Sequence, residues 1–456
     1  MTYLLLLSSG LILGLLLRSL TTPFILLAER SIALLDIVLS NPSTDTQLET
    51  LTRLTKKVVT SLVVMVLLTG ALFFGFYCLT DQITLLANGA VVSFKTGLLM
   101  TSLISVIPLL NFSGKKARYS EQAKLLHRMI LNNFHIGRAL LRYQVRNFDD
   151  SFLKDRVIGL IVSGLARSGT TAVTMALARS NNFSSLDYSN MPFVLSPRLW
   201  KKLYQPSTSS GKNERAHGDG IQIGYNEIEA LEEVFFINLL NGDYIKENVL
   251  EPHTIPADVN GLYRRYIKSL SNEKLYLAKN NNWVLREKSF MELNPDVKVV
   301  VMFREPVEHA LSLLTQHERF VELHTKDEFV LEYMNFIGHH EFGLGMKPFN
   351  IGNSKEREIY PIRSVNFWLV LWLQYYSTIL RLEGVHLVCY EEYCSKPNEV
   401  LNGILQYIGV LEGFNDERSF EIKKYEANDA DVDLRLKASK LYTELCKLSV
   451  SQLQLL

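Results

Sequence analysis

Three patterns of apolar spacing divide the chain. In the first, which fills the first 110 residues, hydrophobic side chains follow one another with few polar breaks. Val58–Thr80 runs 23 residues without a charge. At helical rise that is roughly 35 Å, enough to cross a bilayer. A second apolar stretch, from about 90 to 110, carries Lys95 and makes a second span if that lysine snorkels to the interface. Tyr3–Leu17, interrupted at Arg18, reads as a third span near residues 3–27 or as a half-buried anchor; it lacks the features of a cleaved signal peptide. In the second pattern, from Lys115 to Arg146, apolar residues recur at helical spacing between eight basic residues and a single acid, Glu121. That predicts a basic amphipathic linker helix over 115–150, either solvated or lying on anionic headgroups.

The third pattern begins near residue 151, where short aliphatic runs alternate with helical periods. Val157–Val162, Leu275–Ala278, Val297–Phe303 and Val385–Tyr390 read as buried strands. Thr171–Ala178, Glu227–Leu240, Val307–Gln316 and Phe367–Leu382 read as helices. The alternation predicts an α/β fold, a P-loop-like, mostly parallel sheet flanked by helices, over residues 151–456. An N-terminal transmembrane helical region, residues 1–114, precedes it. Thr208–Gly220 is polar and glycine-containing, long enough for a lid or a plain surface insertion.

Charge refines this picture locally. The net charge of the 456 residues is +1, so nothing global points to nucleic acid. Arg53, Lys56 and Lys57 precede the two apolar stretches, and Lys115, Lys116 and Arg118 follow them. The positive-inside rule then puts the domain after residue 114 in the cytoplasm. The four cysteines, Cys78, Cys389, Cys394 and Cys446, match neither a zinc site nor a disulfide framework.

The densest chemistry is "VSGLARSGTTAV", from Val162 to Val173. A strand, then Gly164 and Gly169 at P-loop spacing, then a helix, is a device for aiming backbone N–H groups at one anion. Ser168, Thr170 and Thr171 add hydroxyl donors and Arg167 a fixed charge. Thr170 stands where an ATP-binding loop has its lysine, and no strand here ends in a convincing magnesium-binding aspartate. Both departures argue against a magnesium-dependent NTPase, and no metal is expected. A second motif, "VVVMFREPVEHALSLL", ends a strand in Arg304 and places Ser312 eight residues on, two turns into the next helix.

Arg167-Ser168-Gly169-Thr170-Thr171, taken with Arg304, Pro306 and Ser312, resembles the sulfotransferases that use 3′-phosphoadenosine 5′-phosphosulfate (PAPS). Membrane-associated and carbohydrate-type members often carry arginine at the position of Arg167. A third stretch, "FWLVLWLQYYSTIL" with "VHLVCYEEYCSKPNEVLNGILQYIGV", is similar to the family's tryptophan-containing helix, Tyr-Glu-Glu turn and closing helix; Trp368, Trp372 and Tyr390 are expected in the core. The resemblance covers about residues 155–415. It implies that Gly164, Arg167, Ser168, Gly169, Thr170 and Thr171 hold the 5′-phosphosulfate, and Arg304 and Ser312 the 3′-phosphate. Sulfuryl transfer to a hydroxyl or amine follows, with Arg167 stabilising charge on the bridging oxygen and needing no metal.

The family's basic group is less legible. Cytosolic members carry Lys-Thr-His where this chain has Lys279-Asn280-Asn281, so Lys279 keeps a place near the sulfuryl group and the histidine is missing. His217 and Glu232 lead the candidate bases, with Glu233 and Asp187 behind them. Membrane anchoring suggests a carbohydrate or lipid-linked acceptor. A membrane-bound P-loop kinase and a catalytically inactive membrane scaffold are the competing readings.

Overall fold

A computed structural model describes residues 2–20, 23–24, 26–28, 30–31, 34, 45–86, 121–149, 156–203, 213–214, 222–223, 228, 230–271, 273–411, 413, 415 and 429–454. The chain forms two compact units, residues 1–135 and 136–456. The expected span at 90–110 and most of the polar loop 208–220 lie outside the described residues.

In the first unit, helix Asp45–Leu86 contains the charge-free run, and its segment Leu48–Ile83 is long and apolar enough to cross a membrane. Side chains such as Val63, Leu67 and Phe74 point outward from it. Several of its hydroxyls bond back within the helix: Thr80 Oγ1 donates to Phe76 O at 2.8 Å, and Thr69 bonds back to Met65 in the same way. Such back-bonding keeps these donors from facing an apolar surrounding unpaired. The first apolar run forms helix Thr2–Ser19, which packs on this long helix with Leu13 buried. Residues 23–24 and 26–28, towards the expected end at residue 27, are helical as well. Beyond it Arg30 donates to Ser61 Oγ at 2.6 Å.

The basic stretch is two helices, Glu121–Leu131 and Phe134–Val145, not one. The boundary between the units falls at His135, near the start of the second. That helix is part of the α/β unit: Leu141, Gln144 and Val145 are buried. A side chain at Gly137 would sit 2.0 Å from the Asn238 amide, so only glycine allows the approach. Arg138 donates to the Asn238 carbonyl at 3.2 Å.

The second unit is built on five parallel strands: β1 (Gly159–Ser163), β2 (Phe183–Ser184), β5 (Leu275–Lys279), β6 (Val297–Phe303) and β7 (Val385–Cys389). Two-residue strands β3 (Asn213–Glu214) and β4 (Gln222–Ile223) pair separately. The sheet order is β2-β5-β1-β6-β7. Strand β1 is central, with Val162 level with Lys279 on one side and Val300 on the other. After β1 the chain winds toward β2; after β5 it crosses to β6. The order therefore reverses at β1, and the crevice at the strands' carboxyl ends opens there, where α/β sheets bind ligands. The carboxyl ends of β1, β5 and β6 carry the Gly164 loop, Lys279 and Arg304.

The central strands are hydrophobic on successive residues because both faces are covered. One face packs Leu160, Val162, Leu277 and Met302 against Val173 and Leu177 of helix Thr170–Ala178 and Leu401 and Leu405 of helix Pro397–Tyr407. Helix Val365–Ile379 buries Trp368, Trp372, Tyr375 and Tyr376, and Tyr376 Oη donates to the Met302 carbonyl at 2.8 Å. The predicted helix near 227–240 is shorter in the structure, Glu233–Leu239, and is closed by Asn241 and Gly242, both with positive φ.

Helix Val432–Gln454, which the apolar pattern leaves undefined, seals the sheet edge. Gln452 accepts from Leu387 N at 2.8 Å and donates to Val385 O at 2.9 Å, as a neighbouring strand would. Ser449 Oγ adds a bond to Leu387 O at 2.9 Å. An edge strand left open would be a template for pairing with another chain.

Trp372 is wholly buried. Trp372→Ala is expected to destabilise the α/β unit by about 3–5 kcal/mol. Thermal unfolding of the detergent-solubilised full chain checks this; an unchanged midpoint would remove the helix from the core.

Candidate active site

The site begins with a backbone constraint. Gly164 has φ 143°, Arg167 φ 72° and Gly169 φ 97°. The first glycine turns the chain off β1, where a Cβ would lie 2.6 Å from the Met302 carbonyl and from Ser168 Oγ. At Gly169 a Cβ would lie 2.5 Å from the Tyr390 ring. Arg167, with a Cβ, is held in the left-handed region at a cost of roughly 1–2 kcal/mol. Alternating handedness of this kind turns successive N–H groups to one side, an anion-binding concavity.

Helix Thr170–Ala178 starts from Gly169, which has no side chain to cap it, so its first N–H groups are open to an outside acceptor. The Ser168 hydroxyl is wholly buried, beside the Tyr376 hydroxyl. An anion in the loop would give it a charged acceptor, a stronger bond than one to a neutral hydroxyl.

The sheet brings the predicted cations to this loop. Lys279, at the end of β5, donates from Nζ to Thr171 Oγ1 at 3.1 Å. An ammonium thus reaches the loop from a neighbouring strand although position 170 is threonine. Arg304 leaves β6 only 6% exposed, with its guanidinium 4.9 Å from the centre of the Tyr390 ring. Helix Pro306–Lys326 starts two residues later, with Pro306 in its first turn and the Glu305 carboxylate accepting from Glu308 N at 2.7 Å. Its second turn carries Ser312 back to the loop, where Arg167 Nε donates to Ser312 Oγ at 3.3 Å. Two motifs 145 residues apart in sequence therefore form one surface. Its donors suit a ligand with two anionic groups.

Three further residues support the site. Tyr390, expected in the core with Trp368 and Trp372, is half-buried and stands between Gly169 and Arg304. The two tryptophans are core, as expected. Glu391 accepts from Glu305 N at 3.1 Å and from Tyr442 Oη at 3.0 Å, bracing the turn after Arg304. His309 is buried on helix Pro306–Lys326 and donates from Nε2 to the Ala166 carbonyl at 2.8 Å. Its spacing, five residues after Arg304 and three before Ser312, is the one sequence signal that could have found it.

The candidate bases separate. Glu232 and Glu233 are buried, 2% and 3% exposed. Glu232 accepts from Tyr263 Oη at 2.7 Å and from Asn280 Nδ2 at 2.9 Å, so both its oxygens are occupied. Burial raises its pKa. Glu233 is paired to Arg286, whose Nη1 lies 2.9 Å from Oε2, and that guanidinium outweighs burial and lowers its pKa. Asp187 is committed to a turn, accepting from Ser189 N at 2.9 Å, and burial raises its pKa. His217 lies outside the described residues. Among those described, no group of three histidine, cysteine or acidic side chains is arranged to hold a metal ion.

Among solved structures the chain is similar to a sulfotransferase of Mycobacterium tuberculosis H37Rv, at 14% identity and a TM-score of 0.38 over 71% of this chain and 82% of that one. It is also similar to a sulfotransferase of Mycobacterium avium, at 12% identity and a TM-score of 0.38 over 79% and 87%. A third, a sulfotransferase of Alicyclobacillus acidocaldarius, has 16% identity and a TM-score of 0.30 over 66% and 97%. No protein-family model and no curated protein matches the chain.

Burial, followed by the charges of Arg304 and Arg167, lowers the His309 pKa to about 3, from 6.5. Between those values the unfolded chain binds more protons, so stability is lost as pH falls through this window. His309→Gln keeps a donor for Ala166 and takes up no proton. The variant's melting temperature is expected to fall less than the wild type's between pH 7 and pH 5; equal falls would show that this histidine does not set the acid response.

Proposed function

We propose that the chain is a PAPS-dependent sulfotransferase. The observation that carries this reading is the Arg167–Ser312 contact, which joins the phosphosulfate-type loop to the Arg304 motif at the sheet's switch point. The loop N–H groups, Ser168, Thr170, Thr171 and Lys279 would hold the 5′-phosphosulfate, and Arg304 and Ser312 the 3′-phosphate. An acceptor oxygen or nitrogen attacks sulfur and gives up its proton to water, the bond from sulfur to the bridging oxygen breaks, and adenosine 3′,5′-bisphosphate leaves. Arg167 remains protonated and stabilises charge growing on the bridging oxygen. Lys279, on a rigid strand end, orients the sulfuryl oxygens.

Glu232 serves in this reading as a positioning residue. It fixes Asn280, and through it the end of β5 that carries Lys279. Glu232→Gln is expected to keep transfer within about threefold, whereas a loss of about a hundredfold or more would make this carboxylate the base.

The acceptor is proposed to be a carbohydrate or lipid-linked hydroxyl or amine, because the same chain carries a membrane-length helix. The α/β unit is proposed to be cytoplasmic, since basic residues flank the apolar segments on the side from which that unit follows. Protease protection of intact inverted vesicles tests the orientation: digestion of the α/β unit supports it, and full protection reverses it.

Calorimetry of the full chain with adenosine 3′,5′-bisphosphate and with ADP tests the nucleotide assignment. The bisphosphate is expected to bind at least about tenfold more tightly without magnesium, since a phosphate bonded to a charged arginine contributes about 1.5–3 kcal/mol. Arg304→Ala should remove the difference. Equal affinities in the wild type would overturn the reading, and magnesium-dependent turnover of ATP would support a P-loop kinase instead.

A further inference from the structure

A second cationic site lies within the α/β unit, outside the switch-point crevice. Tyr143, Arg146 and Asn147, at and beyond the end of helix Phe134–Val145, and Arg198, Lys201 and Lys202 of helix Pro197–Leu203 line a cavity of about 430 Å³. Gln144, buried to 3% exposure, fastens its two sides. Its Nε2 donates to Ser269 Oγ at 2.9 Å, and its Oε1 accepts from the backbone N of Arg198 at 3.3 Å. Three of the four cations therefore stand on a helix fastened to this frame, and Arg146 stands in the turn directly after the other.

What these guanidiniums rest on is equally informative. Arg146 lies 4.3 Å from the centre of the Tyr143 ring, and Arg198 4.5 Å from that of Phe148. Aromatic faces orient a guanidinium without neutralising it. No acidic residue among those described lines the cavity, and nearby Asp149 is paired to Lys268. Four like charges around one cavity repel one another until an anion enters.

We propose that this pocket binds the phosphate-bearing headgroup of an anionic membrane lipid. The helix that forms one wall ends a basic stretch which follows a membrane-length helix in the same chain. Arginine and lysine with an adjoining tyrosine, held on a rigid frame, match the headgroup level of a bilayer. The cavity is larger than a phosphate ion and has room for the glycerol beside it. The proposal rests on the membrane reading but not on the nucleotide assignment.

The test is native mass spectrometry of the full chain released from neutral detergent containing equal phosphatidylglycerol and phosphatidylcholine. Phosphatidylglycerol is expected to be retained at least about tenfold over phosphatidylcholine, as several basic side chains at an anionic surface provide. The variant R198A/K201A/K202A should lose that preference, while its bisphosphate affinity stays that of the wild type. Equal retention of the two lipids by the wild type, or an undiminished preference in the variant, overturns the proposal. Release of phosphatidylglycerol by millimolar inorganic phosphate would assign the pocket to a free anion and also overturn it. If wild type and variant alike fail to bind the bisphosphate while the lipid preference follows the mutations, the nucleotide reading fails and the lipid site stands.

Discussion

The turn between Gly164 and Gly169 is packed so closely that its two ends admit no side chain. Met302 and Ser168 close on one glycine and the Tyr390 ring on the other. From that fit the rest of the site takes its position. With the loop pinned against the ends of β1 and β6, Thr171 lies within reach of Lys279 and Arg167 within reach of Ser312. His309 holds the loop from below through the Ala166 carbonyl. A nest of backbone donors needs no particular side chain to bind an anion, but it does need a rigid mould. Here the mould comes from three strands and the residue following a fourth.

The site therefore concentrates positive charge at the carboxyl ends of the central strands and stores some strain in Arg167. The cost is met by the core. Strands buried on both faces and an aromatic layer from helix Val365–Ile379 give the loop a base that does not yield. A second polar network, Glu232 and Glu233 with Tyr263, Asn280 and Arg286, sits behind β5. Breaking one partner of such a buried charge pair leaves the other uncompensated, which is why it fixes the backbone around Asn280.

Much of this was legible in the sequence because it is local. The Gly164–Thr171 loop and the Arg304–Ser312 spacing depend on residues a few positions apart, and the strands Val297–Phe303 and Val385–Cys389 are runs of apolar residues. The features that escaped are those whose partners are distant in the chain. Tyr390 looks like a core aromatic until Arg304 is placed over it, 86 positions away in sequence. Glu232 looks like a free carboxylate until Tyr263 and Asn280 close on it. The basic stretch looks like a single helix because its apolar periodicity runs on through the break at Asn132 and Asn133, the second of which is buried. Helix Val432–Gln454 has an ordinary mixed surface, and nothing in its pattern announces that Gln452 will complete a sheet.

That last arrangement bears on how the chain is made. Strand β7 ends at residue 389, but the side chain that occupies its free edge stands at residue 452. During synthesis the four other strands and β7 can assemble while more than sixty residues are still to emerge. Throughout that interval the newest strand offers unpaired amides and carbonyls along its free edge. The closing helix ends the exposure through the Gln452 amide and the Ser449 hydroxyl, and hydrolysis of Gln452 to a carboxylate would remove the one donor that reaches the Val385 carbonyl.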